Sequence, residues 1–281
     1  MVLHRVIALA ILFSLIVSLA SIAVPSTICS NNYLYKIDQE LQRLIGTGED
    51  VEAIVILRDL GYDELVGIRY RYGPDAVKRT LKSYAYSTQS LVKDYIEQLG
   101  GRVLNSFWIL NALLVRVNAD RLPDIASLDT VERIIPNFEV YIDDTVKEYD
   151  YNVSGKVWSW GINRTRAPMV WEMGYNGSGV RICTIDTGVD ISHPALAGKM
   201  LTLDPSNPYY PGGWMAFDSA GNPVLMEPRD THGHGTHVSG TALGGDGRDI
   251  VIGVAPGATL MHALALPYGR GTFAQTLAAM E

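Results

Sequence analysis

The chain has 281 residues, enough for one large domain or two ordinary ones, and 47% of them are hydrophobic, enough for a packed core and too many for a chain disordered throughout. A formal net charge of −7 and a pI near 5.4, with no cluster of Lys or Arg, argue against a phosphate-backbone binder and exclude nucleic acid as the expected partner. Two cysteines, Cys29 and Cys183, cannot build a disulfide framework, and Cys183 reads as a small buried apolar residue of a core strand.

At the N-terminus His4 and Arg5 precede an apolar stretch from Val6 to Leu19, followed by the small residues Ala20, Ser21 and Ala23. That order is a secretory signal peptide over residues 1–23, so a secreted, extracellular protein is expected. Extended to Val24 the run nears spanning length, and a membrane contact follows only if the segment stays uncleaved. Residues 24–50 read as a leader. The Asn-x-Ser/Thr triplets at Asn152, Asn163 and Asn176 suit an exported chain but are too short to carry the argument.

Val51–Leu57 is a continuous apolar strand signal. Gly73-Pro74-Asp75 opens a long helix in which Val77, Leu81, Tyr84, Thr88, Leu91, Tyr95 and Leu99 recur at three- and four-residue steps, and Gly100-Gly101 closes it. Strand-like runs follow at 102–107 and 109–117, then a short helical segment near 120–128 and a strand at 131–135. Strand, helix, strand, strand, helix, strand is the order of a split βαβ unit, with both helices on one face of an antiparallel sheet. A small α+β, ferredoxin-like domain is therefore expected over 51–140. Residues 141–157, acidic at Asp143, Asp144, Glu148 and Asp150, read as a linker.

The second region, 158–281, carries the chemistry. Arg181-Ile-Cys-Thr-Ile-Asp-Thr-Gly188 is an apolar run ending in a carboxylate, a buried strand that delivers Asp186 at its carboxyl edge, where sites in open α/β sheets lie. Residues 200–230 are rich in Pro and Gly and read as irregular. A helix starts near His234, with Gly235, Ser239, Gly240 and Ala242 small enough for tight packing on a sheet; a strand follows at 259–266 and a helix begins within 271–281. An imidazole next to a strand-held carboxylate is two thirds of a Ser–His–Asp hydrolase, in which the acid fixes the tautomer and the imidazole removes the serine proton. A strand-end Asp followed by Thr-Gly also suits a plain tight turn. His232, His234 and His237 together would alternatively suit zinc, although Gly233 and Gly235 interleave them and no downstream Cys or Asp motif completes the set. His232 and His237 otherwise read as structural, and His262 as an ordinary strand residue.

Taken in order, Trp160 to Asp190, His193-Pro194, His234-Gly-Thr-His-Val-Ser-Gly-Thr241 and Gly253-Val-Ala-Pro-Gly-Ala258 resemble the first half of a subtilisin-like serine protease. The resemblance covers 158–281 by motif and 51–136 by layout, where it implies an inhibitor-type propeptide. It implies an α/β fold whose parallel-sheet catalytic domain is present as its N-terminal half, with Asp186 as triad aspartate and His234 as triad histidine. It implies polypeptide substrates, laid extended along Gly269, Arg270 and Gly271, a propeptide-to-catalytic-domain contact, and a processing site within 141–157. No cofactor is implied. Ala195 and Gly247 stand where some members place calcium ligands, so calcium is left at most a weak ion on Asp246 and Asp249. In this family the serine lies roughly 150 residues beyond the histidine, and no Gly-Thr-Ser motif occurs here. The chain is expected to be truncated before its nucleophile and inactive as it stands. A non-catalytic, propeptide-like inhibitor or folding aid is the competing expectation.

Overall fold

The computed structural model describes residues 33–142, 157–202, 213–245 and 249–281. The signal and most of the leader, with Cys29, lie outside the described residues, as do the linker from 143 to 156, Asn152, Asp246 and Gly247.

The first sheet consists of β1 (Asp50–Leu57), β2 (Arg102–Phe107), β3 (Ala112–Asn118) and β4 (Val131–Pro136), antiparallel throughout in the order β2-β3-β1-β4. This is the split βαβ arrangement. Strand β1 is a continuous apolar run because both its faces are covered. Ala53, Val55 and Leu57 pack with Val92 and Ile96 of the helix Pro74–Gln98 and with Leu122 and Ile125 of the helix Leu122–Ala126. Ile54, with Phe107 and Leu114, meets Phe273, Ala274 and Leu277 of the last helix, Phe273–Met280. Phe273 and Leu277 are 7% and 3% exposed, and burial of each contributes roughly 2 kcal/mol.

Two details of this domain depart from the sequence pattern. A helix at Tyr62–Tyr72 precedes the long one and buries none of its residues, so it leaves no apolar stripe to read. The strand expected from 109 begins only at Ala112, because the buried Asn111 turns the chain at φ 47. Its Nδ2 donates to the Arg58 carbonyl at 2.8 Å and its Oδ1 accepts from Gln89 Nε2 at 3.2 Å.

Strand β5 (Glu139–Tyr141) leads out of the first domain, so the segment expected to be linker from 141 is strand at that residue. Further on, β6 (Val157–Trp158) pairs in parallel with β10 (Ile250–Val251). The second sheet runs β7 (Arg181–Asp186), β11 (Thr259–Leu264), β8 (Trp214–Phe217), β9 (Pro223–Val224), with β11 parallel to both β7 and β8. Strand β8 lies within the stretch expected to be irregular. Its four residues, Trp-Met-Ala-Phe, are too few to show a period, and pairing with β11 makes the strand. Cys183 is exposed, contrary to expectation: β7 is the outer strand of this sheet, and Cys183 points to the face opposite Thr184 and Asp186, which are buried.

The last helix is started jointly by both regions. Thr272 and Gln275 form a capping box, and Asn137 Oδ1 accepts the Ala274 N–H at 3.0 Å. At its other end Glu281 accepts N–H bonds from Trp108 at 2.5 Å and Ile109 at 3.2 Å, in the β2–β3 turn. Burial pushes the Glu281 carboxyl up, against the lowering pull of those two donors and of Lys82 and Lys78. Among the described residues no helix is long and apolar enough to cross a membrane.

Candidate active site

Asp186 ends β7 as expected and is 6% exposed. Its backbone carbonyl accepts from Ala265 and Leu266, both at 3.1 Å, which is why β11 stops at Leu264 rather than 266. Its Oδ1 accepts the Thr187 N–H at 2.7 Å. The carboxylate is thus fixed from both its backbone and its side chain.

His234 opens the helix His234–Leu243. Gly233 before it takes φ 92 and offers no capping side chain, so the first-turn donors find partners elsewhere. Gly235 N donates to Thr187 Oγ1 at 2.9 Å and Thr236 N to Asp230 Oδ2 at 2.8 Å. The helix start is therefore tied to the residue that follows Asp186. As a result His234 Nδ1 lies 2.7 and 2.9 Å from the two Asp186 oxygens, with the imidazole side chain 24% exposed. Chemically, a donated Nδ1–H would leave Nε2 as the basic nitrogen.

Asp230, which by sequence stands just before the three histidines of the zinc alternative, organises this turn instead. Its carboxylate accepts from the N–H groups of His232, Gly233 and Thr236 and from the hydroxyls of Thr236 and Thr187. Burial pushes its carboxyl up, but the bonds from Thr236, His232 and Gly233 outweigh that and hold it below the ordinary value of 3.8. An Asp just ahead of a helix, with Thr six residues on, is a legible turn-and-cap signal.

Gly269, Arg270 and Gly271 lie at the start of β12 (Arg270–Thr272), which pairs antiparallel with β5: Arg270 faces Tyr141, Gly271 faces Val140 and Thr272 faces Glu139. Ile142 N also donates to the Gly269 carbonyl at 2.9 Å. A Cβ on Gly271 would fall inside contact of the Ala265 carbonyl, and one on Gly269 would stand 3.0 Å from His232 Cδ2. His232 in turn meets His234 edge-on at 6.5 Å between ring centroids. The edge therefore begins one side chain away from His234, and it is filled by the strand leaving the first domain.

The remaining histidines separate. His237 is exposed, and among the described residues no three His, Cys, Asp or Glu side chains form a metal-binding group. Asp249, one of the two carboxylates considered for calcium, lies within the described residues, whereas Asp246 does not. His262 is a strand residue of β11, as expected. It is 2% exposed beneath the Asp186–His234 pair, and burial takes its pKa from 6.5 down to about 4, against the upward pull of Asp186 and Asp230.

Residues 177–281 match the Subtilase family profile. The chain is 31% identical over 220 residues to Bacillopeptidase F of Bacillus subtilis, covering 73% of this chain and 15% of that protein. It is 29% identical over 171 residues to subtilisin E of Bacillus subtilis, covering 60% of this chain and 37% of that protein. The chain thus spans a minor part of the length of these relatives. In fold it resembles the crystal structure of the epidermin leader peptide processing serine protease from Staphylococcus aureus, with a TM-score of 0.55 at 14% identity over 83% of this chain and 47% of that one. Residues 177–281 thus resemble the subtilase family in sequence, and the chain has a mixed α/β, subtilisin-like fold.

Proposed function

We propose that residues 158–281 supply the general base and its orienting acid to a secreted, subtilisin-like serine endopeptidase, and that residues 51–140 are its inhibitor-type propeptide. The observation that carries this is the bond from His234 Nδ1 to both Asp186 oxygens. In the reaction, His234 Nε2 takes the proton from a serine hydroxyl as the oxygen attacks a peptide carbonyl, then passes it to the leaving amine; Asp186 holds the tautomer and stabilises the transient imidazolium. The substrate backbone would lie along Gly269–Gly271 as an added strand, the position that β5 now occupies. Secretion is supported by the signal-type pattern of residues 1–23.

No serine within the 281 residues stands in a nucleophile motif, so this polypeptide is expected to be inactive by itself. Incubation with a fluorophosphonate probe and a general protein substrate checks it: neither labelling nor proteolysis should occur. Specific labelling of one serine, lost together with proteolysis in His234→Ala, would show that the nucleophile is already present.

The propeptide reading predicts that residues 31–150, added to an active subtilisin-like enzyme, inhibit it competitively through β5. Inhibition kinetics decide this. A segment that folds by circular dichroism yet leaves the enzyme unaffected refutes the propeptide, while a chain that inhibits a subtilase but never supports catalysis in any extended form favours the inhibitor reading.

A further inference from the structure

We infer that His262 is a positioning residue for the Asp186–His234 pair, locking the strand that carries Asp186 to the helix that carries His234 through Thr184 and Ser239. The inference rests on reading that pair as base and orienting acid.

Three elements meet at one oxygen. Thr184 Oγ1, on β7 two residues before Asp186, lies 2.6 Å from His262 Nδ1 on β11 and 3.0 Å from Ser239 Oγ on the helix that His234 begins. All three side chains are buried. The pairing follows from the sheet: β11 runs parallel to β7 with His262 opposite Thr184. The ring is also held on one face and at one edge. Trp214 stacks on it at 5.8 Å with 19° between planes, and Cε1 lies so close to Gly235 that a Cβ there would stand 3.0 Å away, and 3.1 Å from the Cβ of Asp186. His262 therefore packs directly beneath the backbone that follows His234.

The protons can be placed from the hydrogen-bond count. The Thr184 hydroxyl has one proton, and His262 Nε2 is buried with no partner. If Nδ1–H donates to Thr184 and Thr184 donates to Ser239, Nε2 is a bare acceptor; the reverse chain would bury an orphan N–H donor, the costlier arrangement. Either direction leaves a neutral ring, and the first places its proton on Nδ1. A neutral ring is also what the neighbouring site requires, since a cation beneath Asp186 would compete with His234 for its carboxylate. Burial keeps His262 neutral down to about pH 4, so that competition is absent at neutral pH.

The test uses the full 281-residue chain and the proton resonance of His234 Nδ1–H, which a bond to a carboxylate moves far downfield of the amide signals. It is assigned by its disappearance in His234→Ala. Thr184→Val keeps the shape and removes the junction, so the resonance should be lost or broadened by solvent exchange; Thr184→Ser should restore it. His262→Leu, which leaves the Thr184–Ser239 bond in place, should broaden the resonance to a lesser degree, and an unchanged resonance in that variant, folded, overturns the inference. Circular dichroism establishes that each variant is folded, and if His262→Leu is not, the Val and Ser variants decide alone. An unchanged resonance in folded Thr184→Val overturns this inference and leaves the Asp186–His234 pair standing. Absence of the resonance from the wild-type protein overturns both.

Discussion

Gly235→Ala is expected to cost about 3 kcal/mol of stability, lowering Tm by roughly 6–10 °C, and to separate His234 from Asp186. The added Cβ would fall well inside contact of the Gly188 carbonyl oxygen, and within 3.0 Å of His262 Cε1 and 3.1 Å of the Asp186 Cβ. Neither a rotamer change nor a small side-chain shift relieves a clash with backbone. Either the helix start or the loop after β7 must move, and the Gly235 N–H bond to Thr187 goes with it. Two other glycines of the same segment provide controls. Gly233 has open space around it but takes φ 92, so Gly233→Ala should cost about 1 kcal/mol in backbone strain. Gly240 is helical, and its Cβ would meet only Ile252 Cδ1 at 3.5 Å, so Gly240→Ala should be neutral or stabilise by about 0.5 kcal/mol. Denaturant unfolding of the three variants checks the order. Equal stability of Gly235→Ala and Gly240→Ala would refute the close approach between helix and strand that places His234.

The same packing explains what the sequence revealed about this site and what it hid. Asp186 was legible because a buried strand writes itself as an apolar run, and the residue that ends the run stands at the sheet edge. His234 was legible because Gly235, Ser239 and Gly240 leave a helix no reason to be so small except a close neighbour. His262 was not. Its importance depends on lying opposite Thr184 in a parallel pair, and registers between distant strands leave no local period. The pairing of β5 with β12 is hidden from local pattern for that reason too, although the family resemblance singled out Gly269–Gly271 as a strand-accepting edge. Strand β8 is hidden by shortness and the helix Tyr62–Tyr72 by the absence of a buried face. Asp230 belongs to another class: the cap signal is present in the residues, but beside His232, His234 and His237 a carboxylate suits zinc as well as a turn.

Acidification should weaken the fold through His262 before the stabilised carboxylates contribute. Its pKa is about 4 in the folded chain against 6.5 when free, so between these values the unfolded chain binds a proton that the native one refuses. Stability from this group is complete above about pH 6.5 and falls as pH is lowered toward 4, by about 3 kcal/mol at 1.36 kcal/mol per unit. The carboxyl of Asp230 is held below 3.8, so its loss comes only at lower pH. Those of Asp59 and Glu281 are pushed up chiefly by burial, and between their ordinary values of 3.8 and 4.5 and their raised ones they take up a proton on folding, which opposes the histidine. The decisive measurement is therefore a difference. Urea unfolding of wild type and His262→Leu from pH 4 to 7.5 should give stability curves that diverge steadily below pH 6.5, the leucine variant retaining what the wild type loses. At pH 7 the two should lie within about 2 kcal/mol, because the leucine removes a buried unpartnered nitrogen while Thr184 keeps Ser239 as a partner. Parallel curves across that window would mean that His262 is charged in the folded protein, and that the neutral ring beneath Asp186 does not exist.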